Sequence, residues 1–404
     1  MRARTRAAVD CGRQQGNEAD EAVEKQIPRA LKRPRDDKRM RICAAPLKPH
    51  PFKAGHEMPD SSGLGMTQIP SGTTDYGMTG VEVERAGAGR HPVDVAVAWM
   101  SRRSKMFARG WGDESVVAEF SDRSRYLVRP FPVRRIEWQT TRKRASDVCR
   151  DGTFPSPLTA LPDAVKTVHL RTLTREGNKA ACVMLAASRD EGYWIRERVF
   201  SPLTGRGIDL YLVENPYYGL RRNGHGPSDI TVSDHGLMAL AMVMEARALL
   251  EHLNGKYEKL VVAGYSMGGH MAALTAAVTP LPVACAALAT GASASAIYTR
   301  GLLSWSVDFD SLGEGMDGSA AARERLQELF DTADIAGYRP PLRVDAAVVS
   351  GCTRDGYVLP SETERLHRHW KGCTLRWIEA GHFSALLTQR RALCECVEEA
   401  VGKL

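Results

Sequence analysis

Short, mostly apolar runs alternate with helix-like segments from about residue 160 to the end of this chain. The runs are ACVMLA (181–186), DLYLVE (209–214), KLVVAG (259–264), PVACAALATG (282–291), DAAVVSG (345–351) and CTLRWIEAG (373–381). A strand that is apolar along its length is buried on both faces, and such strands occur in parallel sheets that helices cover on both sides. The alternation therefore predicts an α/β fold with a mostly parallel sheet.

The segment between the second and third runs predicts a long helix. VSDHGLMALAMVMEARALLEHLNG (232–255) carries an extended apolar face. Ser233 and Asp234 are candidate caps at its start, and Asn254-Gly255 is a typical helix end. In open α/β sheets the chemistry lies beyond the carboxyl ends of the strands, so the residues after each run are the candidates for function.

The third run leads directly into Gly264-Tyr265-Ser266-Met267-Gly268, and a helix pattern of small residues follows over 267–278. A strand, a Gly-x-Ser-x-Gly turn and a helix in this order predict a nucleophilic serine held at positive φ. Gly264 and Gly268 are assigned a structural role, because larger side chains there would clash across the turn. The alternative is a glycine-rich phosphate loop, which usually carries Lys or Gly-x-Gly-x-x-Gly, and this segment has neither.

A serine hydroxyl needs a base, and the expected chain order is Ser, acid, His. Asp355 lies just past one apolar run and His382 lies just past the next. In this interpretation His382 takes the proton from Ser266 as the hydroxyl attacks an acyl carbonyl, while Asp355 fixes the imidazole tautomer. The remaining histidines considered are assigned to packing or to solvated helices: His235, His270, His367 and His369.

An oxyanion formed at Ser266 also needs backbone donors. The N–H of Met267 is one candidate, and the second is expected in the loop after an earlier strand, around Ala187 and Ser188. Loss of one such donor costs about 10²–10³ in rate, so the conformation of that loop matters.

Positive charge is concentrated in the N-terminal segment. Residues 1–50 contain 13 Lys or Arg against 7 Asp or Glu, within a net charge of +7 for the chain. Charge runs and Pro, His and Gly stretches over 1–95 predict a disordered basic extension. Such an arm is usually solvated, and a nucleic-acid arm or targeting signal is the less favoured interpretation. We therefore expect one domain over 96–404 and no nucleic-acid partner.

The nine cysteines show no C-x-x-C spacing and no zinc-type cluster with histidine. In a chain of this length they favour free thiols in a reducing compartment, so no metal and no cofactor is expected. The sequence shows no secretory signal and no apolar run long enough for a transmembrane helix. The arginines at 2, 4 and 6 are compatible with a mitochondrial presequence, although acidic residues follow soon after. The expected location is intracellular, with the mitochondrion as a candidate.

Several longer motifs resemble the alpha/beta-hydrolase domain-containing protein 18 family. They are KMFARGWG (105–112), DGTFPSPL (151–158), YWIRER (193–198), ENPYYG (214–219), VSD (232–234), SMGGHMA (266–272) and AGHFSA (380–385), together with the strand-end Asp355. ENPYYG is far more specific than Gly-x-Ser-x-Gly. The resemblance covers the chain from about residue 95 to its end.

The resemblance implies the α/β-hydrolase fold, with Ser266, Asp355 and His382 as the catalytic triad of a serine lipid acyl hydrolase. The family is associated with mitochondria and phospholipid remodelling, cardiolipin deacylation in particular. The expected partner is a lipid or small acyl-ester substrate, with peripheral membrane association as a further expectation. The sequence makes no prediction of oligomeric state. The segment 304–343 is short for the family, which implies a small lid.

ENPYYGLRR leaves its predicted strand into a loop on the side of the cleft. Tyr217 and Tyr218 are therefore candidates to present rings and hydroxyls to a substrate. Arg221 is a candidate to pair with a phosphate-bearing headgroup, since guanidinium binds phosphate in a two-pronged manner. The alternative is a solvated basic loop.

The loop AASRDEG (186–192) departs from the family pattern, because Arg189 stands where a glycine is typical. Glycines in this loop let the backbone approach an oxyanion closely. The departure keeps a second hypothesis open, in which the fold is catalytically weak or inactive and acts as a binding or scaffold module.

Overall fold

The computed structural model describes residues 89–144, 146–224, 226 and 230–404. The predicted disordered extension over 1–95 falls mostly outside these residues. A helix over Pro92–Ser101 (α1) crosses the predicted domain boundary at residue 95. The side chain of His91 caps this helix by accepting the N–H of Val93 at 3.2 Å, and proline at its first position is a typical helix start.

Nine strands of the described residues form one sheet in the order β1-β2-β3-β5-β4-β6-β7-β8-β9. Their bounds are β1 (Glu137–Arg144), β2 (Asp147–Pro155), β3 (Thr167–Thr174), β4 (Ala180–Leu185), β5 (Ile208–Val213), β6 (Lys259–Tyr265), β7 (Ala284–Leu288), β8 (Ala347–Cys352) and β9 (Thr374–Ile378). The strands from β4 to β9 pair in parallel, whereas β1, β2 and β3 are antiparallel. The mostly parallel sheet is therefore confirmed.

The helices lie mainly between these strands. After α1 they are α2 (Glu114–Phe120), α3 (Trp194–Phe200), α4 (Val232–Leu253), α5 (Met267–Val278), α6 (Ser295–Thr299), α7 (Phe309–Leu312), α8 (Gly318–Asp331), α9 (Pro360–His369), α10 (His382–Thr388) and α11 (Arg390–Lys403). In the part of the chain that the structure describes, none of the helices has both the length and the apolar character needed to cross a bilayer.

Helices cover both faces of the sheet, as predicted. Val262 of β6 packs in the layer that contains α4 and α5, while its neighbour Val261 packs in the layer that contains α3 and α11. Both side chains are fully buried. Because successive residues of a strand point to opposite faces, two covered faces require an unbroken apolar run. This explains the continuous apolar runs of the sequence.

The long helix α4 begins as its sequence predicts, with a different capping residue. Thr231 is the N-cap, and it forms a capping box with Asp234 in which each side chain accepts the other residue's N–H at 3.1 Å. Ser233, a candidate cap from the sequence, instead accepts the N–H of Asp113 at 3.1 Å. The helix ends at Leu253 with Asn254 as its C-cap.

The carboxyl ends of the parallel strands align along one edge of the sheet. Leu185 pairs with Gly264, and Tyr265 pairs with Leu288. The strand β4 lies between β5 and β6. The chain therefore passes from β4 to β5 on one side of it and then crosses to β6 on the other side. Such a reversal opens a crevice beyond the carboxyl ends of the strands, which is where ligands bind in open α/β sheets.

A helical insertion over 289–346 joins β7 to β8 and contains α6, α7 and α8. The segment around Trp111 contacts this insertion, since the indole N–H of Trp111 donates to the carbonyl of Leu312 at 2.9 Å. The segment 304–343, predicted to be a small lid, forms most of this insertion, and its role as a lid stays a prediction.

Candidate active site

Ser266 directly follows β6 and precedes Met267, the first residue of α5. Its φ of 56° lies in the left-handed region, so the chain turns sharply there. A Cβ atom on Gly264 would lie 2.3 Å from the carbonyl carbon of Gly268, and one on Gly268 would lie 2.4 Å from the carbonyl oxygen of Leu185. The two glycines therefore let the N-terminus of α5 close against the carboxyl end of β4.

Three side chains from separate strand ends form one chain of hydrogen bonds. His382 Nε2 lies 2.8 Å from Ser266 Oγ, and His382 Nδ1 lies 2.7 Å from Asp355 Oδ2. The other carboxylate oxygen of Asp355 accepts the N–H groups of Tyr357 and Val358, both at 2.8 Å. Because a carboxylate only accepts, Nδ1 of the histidine carries the proton and Nε2 accepts from the serine hydroxyl.

The imidazole of His382 is buried beside negative charge. Its exposed fraction is 5% and that of Asp355 is 3%. Burial by itself lowers the pKa of His382, but the charge of Asp355, the hydrogen bond to it and the charge of Asp94 outweigh burial and raise that pKa. The negative groups thus favour the imidazolium, which is the form of His382 after it accepts a proton.

Asp94 of α1 supports this site and is absent from the sequence-based predictions. Its carboxylate is fully buried. Oδ2 accepts the N–H of His382 at 2.7 Å and that of Gly356 at 3.1 Å, while Oδ1 accepts the N–H of Phe383 at 3.0 Å. One carboxylate therefore joins the loop of Asp355 to the start of α10. An acid within the apolar stretch VDVAVAW was the sequence signal that could have identified it.

Two tyrosines also hold the histidine. The hydroxyl of Tyr265 donates to the backbone carbonyl of His382 at 2.5 Å. The ring of Tyr357 stacks on the imidazole, with centroids 5.3 Å apart and an interplanar angle of 30°. The backbone and the ring of His382 are thus both fixed, which favours one rotamer for proton transfer.

The loop after β4 brings the predicted oxyanion residues to Ser266. Ala187 and Ser188 line a cavity that also reaches the serine. Arg189 has a φ of 64°, and its backbone N–H donates to the hydroxyl of Tyr218 at 3.2 Å. The loop therefore makes, at Arg189, the left-handed turn that a glycine adopts at lower cost.

A buried ion pair fixes the same loop from the other side. Arg196 pairs with Asp190 at 2.8 Å, and its guanidinium also donates to the carbonyl of Val213 at 2.6 Å. The N–H of Gly192 donates to Glu214 Oε1 at 3.0 Å. Burial raises the pKa of Glu214 to about 7.

ENPYYG supports the AASRDEG loop and does not face the cleft, which corrects the expectation for its tyrosines. Tyr217 and Tyr218 are 3% and 1% exposed, and neither lines the two cavities at Ser266. The Tyr218 hydroxyl holds the backbone of Arg189, and the N–H of Gly219 donates to Glu191 Oε2 at 2.9 Å. The two loops are therefore connected through hydrogen bonds behind the site.

Arg221 is also a correction, since it is buried away from the cleft. Its guanidinium forms a two-pronged ion pair with Glu245, with both N–O distances at 2.8 Å. The same group donates to the carbonyl of Val165 at 2.7 Å. With all its donors directed into the protein and 1% of its surface exposed, Arg221 is not placed to meet a substrate phosphate.

Two apolar cavities meet at Ser266. The smaller, cavity 1, has a volume of about 60 Å³, and the larger, cavity 2, of about 300 Å³. Cavity 1 lies under the insertion and is lined by residues that include Phe120, Met271, Ile297, Tyr298 and Phe330. Cavity 2 lies on the His382 side and is lined by residues that include Val97, Ile195, Phe200, Phe383 and Leu386. Apolar groups on both sides of an ester at Ser266 would be accommodated.

The other histidines near the site have structural contacts. His235 Nε2 lies 2.8 Å from the hydroxyl of Tyr298, and burial lowers the pKa of His235 to about 4. The two ring nitrogens of His270 face backbone carbonyls at 3.2 Å and 2.9 Å. Across the described ranges, no group of three or more His, Cys, Asp or Glu side chains is arranged to hold a metal ion.

The chain is similar to several solved esterases and a related hydrolase at low sequence identity. Acetyl xylan esterase 1 from Thermoanaerobacterium sp. is 14% identical, with 69% of this chain and 93% of that chain covered and a TM-score of 0.47. An acetyl xylan esterase from Paenibacillus sp. is 11% identical, covers 77% and 98%, and has a TM-score of 0.47. An S-formylglutathione hydrolase from Agrobacterium tumefaciens is 13% identical, covers 66% and 99%, and has a TM-score of 0.44. These values indicate nothing about the substrate of this chain.

A family profile described as "Alpha/beta hydrolase domain containing 18" matches residues 104–320 and 313–403. The matched ranges include Ser266, Asp355 and His382, whereas Asp94 precedes them. The match covers well over half of the chain. The chain belongs to the alpha/beta hydrolase domain containing 18 family.

Proposed function

We propose that this protein is a serine hydrolase that cleaves acyl esters of phospholipids through an acyl-enzyme on Ser266. The observation that supports this proposal most is the continuous hydrogen bonding from Asp355 through His382 to the serine hydroxyl. The serine lies at positive φ where two apolar cavities meet. This arrangement suits the activation of an alcohol for attack on a carbonyl.

In the first half of the reaction, Ser266 Oγ attacks the acyl carbonyl while its proton passes to His382 Nε2. The imidazolium that forms is stabilised by Asp355 through Nδ1. It then donates the proton to the oxygen of the leaving alcohol, so the carbon–oxygen bond breaks and the acyl group stays on the serine. In the second half, His382 takes a proton from a water molecule whose oxygen attacks the acyl carbon. The bond between that carbon and Ser266 Oγ then breaks, His382 returns the proton to Oγ, and the acid is released.

The oxyanion would be met by the backbone N–H of Met267 and by an N–H of the loop at Ala187 and Ser188. The N-terminus of α5 adds the positive end of its dipole in the same direction. The absence of a side chain at Gly268 allows the start of α5 to lie close to the Leu185 carbonyl, which directly precedes that loop. This proximity supports a two-donor oxyanion hole.

Cavity 2 combines apolar walls with two arginines, Arg189 and Arg196, of which Arg196 is already paired with Asp190. Arg189 lines it, donates through Nη2 to the carbonyl of Ser104 at 3.2 Å, and has a buried Nε without a hydrogen-bond partner among the described residues. A guanidinium in this position suits a phosphate. We therefore propose that Arg189, in place of Arg221, contacts a phosphate-bearing headgroup, and that cardiolipin is a candidate substrate.

A fluorophosphonate probe tests the nucleophile on the full chain. We expect it to label Ser266, and we expect Ser266→Ala to abolish labelling and hydrolysis of p-nitrophenyl butyrate with nearly unchanged stability. Ser121→Ala, at an exposed serine outside the site, is the matched control and should behave as the unmodified chain.

A second experiment compares the release of fatty acid from cardiolipin, from phosphatidylcholine and from a neutral triacylglycerol. Hydrolysis of the two phospholipids in preference to the neutral lipid supports the proposed substrate class. A folded chain with neither labelling nor hydrolysis would instead support the second hypothesis, a catalytically inactive binding or scaffold module.

A further inference from the structure

Four large apolar side chains are exposed on three of the helices that line cavity 2. They are Trp99 and Met100 of α1, Trp194 of α3 and Leu387 of α10, with exposed fractions of 55%, 63%, 68% and 72%. We call these four residues the rim surface. Isolated exposed apolar residues are common, but several around one cavity mark an interaction site.

The rim surface is continuous with the walls of cavity 2. Val97 and Ser101 line the cavity from α1, Ile195 lines it from α3 and Leu386 lines it from α10. Ser101, Ile195 and Leu386 each adjoin a rim residue in the sequence, and Val97 lies two positions before Trp99. The helix α1 also packs against α10. The lining residues Val97, Ile195 and Leu386 are themselves half-buried, so the apolar wall extends from the cavity to the surface.

Guanidinium groups accompany the rim residues. Arg102 lies 4.7 Å from the ring centroid of Trp99, and Arg198 lies 5.6 Å from that of Trp194. A shallow groove beside Leu387 is also lined by Arg198, Arg206, Arg390 and Arg391. The guanidinium of Arg391 pairs with Glu395 at 2.7 Å and that of Arg206 pairs with Glu398, so Arg198 and Arg390 are the main candidates to meet an external anion.

We propose that the rim surface docks on an anionic phospholipid bilayer, so that cavity 2 opens directly into the lipid. Tryptophan side chains favour the boundary between headgroups and acyl chains, and arginines near that boundary bind lipid phosphates. The proposal rests on the proposed function in one respect, which is that cavity 2 receives the substrate. An ester drawn from the bilayer would then reach Ser266 without exposing its acyl chains to water.

A bilayer fits this surface better than a protein partner does. A protein bound across the rim would close the mouth of cavity 2, whereas a bilayer would supply its contents. The rim residues also come from three separate helices that line the cavity, and an arginine lies beside each of the two tryptophans. Shallow insertion of such side chains is typical of peripheral membrane association.

The test is sedimentation with vesicles of phosphatidylcholine, with and without phosphatidylglycerol. The full chain carries Ser266→Ala, so lipid is not consumed and binding is measured separately from catalysis. We expect the further substitutions Trp99→Gln and Leu387→Gln together to reduce binding to both kinds of vesicle at least about tenfold. We expect Arg198→Gln with Arg390→Gln to reduce only the additional binding that phosphatidylglycerol gives, and to weaken its salt dependence.

Trp138→Gln, at a partly exposed tryptophan on the edge strand β1, is the matched control and should bind as the Ser266→Ala chain does. Thermal melting confirms folding, and Trp194→Gln replaces the double variant should that one fail to fold. Binding to vesicles of phosphatidylcholine alone is the measurement that tests the rim surface, since the basic segment 1–50 could by itself bind anionic vesicles.

Three results would overturn the proposal: no binding of the chain to either vesicle, unchanged binding after the rim substitutions, or a dimer that the same substitutions dissociate in light scattering. Failure of the proposed function has a different signature. If the probe does not label Ser266 of the unmodified chain while the Ser266→Ala chain still binds vesicles, the proposed hydrolase activity is contradicted and the docking surface is not.

Discussion

Asp94 accepts the backbone N–H of His382 at 2.7 Å, although 288 residues separate the two in the chain. The same carboxylate accepts an N–H next to Asp355 and one next to His382. A helix that precedes the sheet in sequence therefore holds the acid and the base of the candidate triad at a fixed separation. Asp94 is a positioning residue, since none of its contacts is with Ser266.

Asp94→Asn should lower kcat about tenfold or more with a small change in KM. The amide cannot accept all three N–H groups, so at least one is left buried and unpaired, at a cost of about 1–3 kcal/mol in stability. Loss of the Asp94 charge should also shift the acid limb of kcat/KM to lower pH, because that charge raises the pKa of His382. Initial rates across pH and chemical denaturation measure these effects.

Asp113→Asn is the control for this prediction. Asp113 caps α2 at the surface by accepting the N–H of Ser115 at 2.9 Å. Its substitution changes stability by up to about 1 kcal/mol and should leave the pH profile unmoved. A pH profile for Asp94→Asn that coincides with that of the unmodified chain would assign Asp94 a purely structural role.

The pH dependence of the unmodified chain follows from the state of His382. Only the neutral imidazole accepts the serine proton, and the surrounding charges raise the pKa of His382 above its usual 6.5. We expect kcat/KM for a soluble ester to rise with pH and to reach half its maximum above pH 6.5. A midpoint at or below pH 6 would contradict the effect of the two carboxylates.

Tyr218→Phe should loosen the loop that carries the proposed second oxyanion donor. The substitution removes the hydroxyl that accepts the N–H of Arg189. We expect kcat to fall about tenfold with KM nearly constant, because the oxyanion forms only in the reaction. Tyr257→Phe removes a hydroxyl that donates to Asp209 at 2.7 Å, near the amino ends of β5 and β6 and therefore at the far end of the strands from Ser266. It should lower stability and leave kcat unchanged.

Arg189→Gln tests the headgroup contact. We expect hydrolysis of phospholipid relative to that of a neutral short ester to fall about tenfold, since one charge-assisted pairing with phosphate is lost. Arg222→Gln is the control, because Arg222 pairs with Glu191 at 2.5 Å outside the cavity. An equal loss on both substrates would show that Arg189 matters for loop conformation and not for the headgroup.

Arg221 should matter for stability and not for substrate. Arg221→Met leaves Glu245 buried without its partner, which costs about 3–5 kcal/mol. The double variant Arg221→Met with Glu245→Leu should be more stable than the single variant, because no charge remains unpaired. Urea denaturation measures both, and a change in KM for phospholipid in the folded double variant would restore Arg221 as a substrate contact.

Local patterns were sufficient for the parallel part of the sheet, whereas the antiparallel strands β1, β2 and β3 were not predicted. Continuous apolar runs placed β4, β6, β7 and β8, because a strand covered on both faces tolerates few polar residues. The Gly-x-Ser-x-Gly turn was readable because a close approach of backbone to backbone at Gly264 and Gly268 permits glycine alone. Positions after strand ends singled out Asp355 and His382, since parallel strands end at one edge of the sheet.

The orientation of side chains could not be predicted from local sequence patterns. ENPYYG follows a strand end just as AGHFSA does, yet Tyr217, Tyr218 and Arg221 point into the protein. Buried partners decide this: the Arg189 N–H for Tyr218, and Glu245 of α4 for Arg221. Partners so far apart in the chain leave no local spacing that a sequence pattern could detect.

The sequence by itself determined the alternation of strands and helices from β4 to β9, the sharp turn at Ser266 and the acid and base that follow later strands, because each depends on interactions within a few residues. The tertiary structure decided which of the strand-end side chains face the cleft, the position of Asp94 behind His382 and the grouping of exposed tryptophans around cavity 2. Those depend on packing between distant segments, where burial and hydrogen-bond satisfaction select one orientation for each side chain.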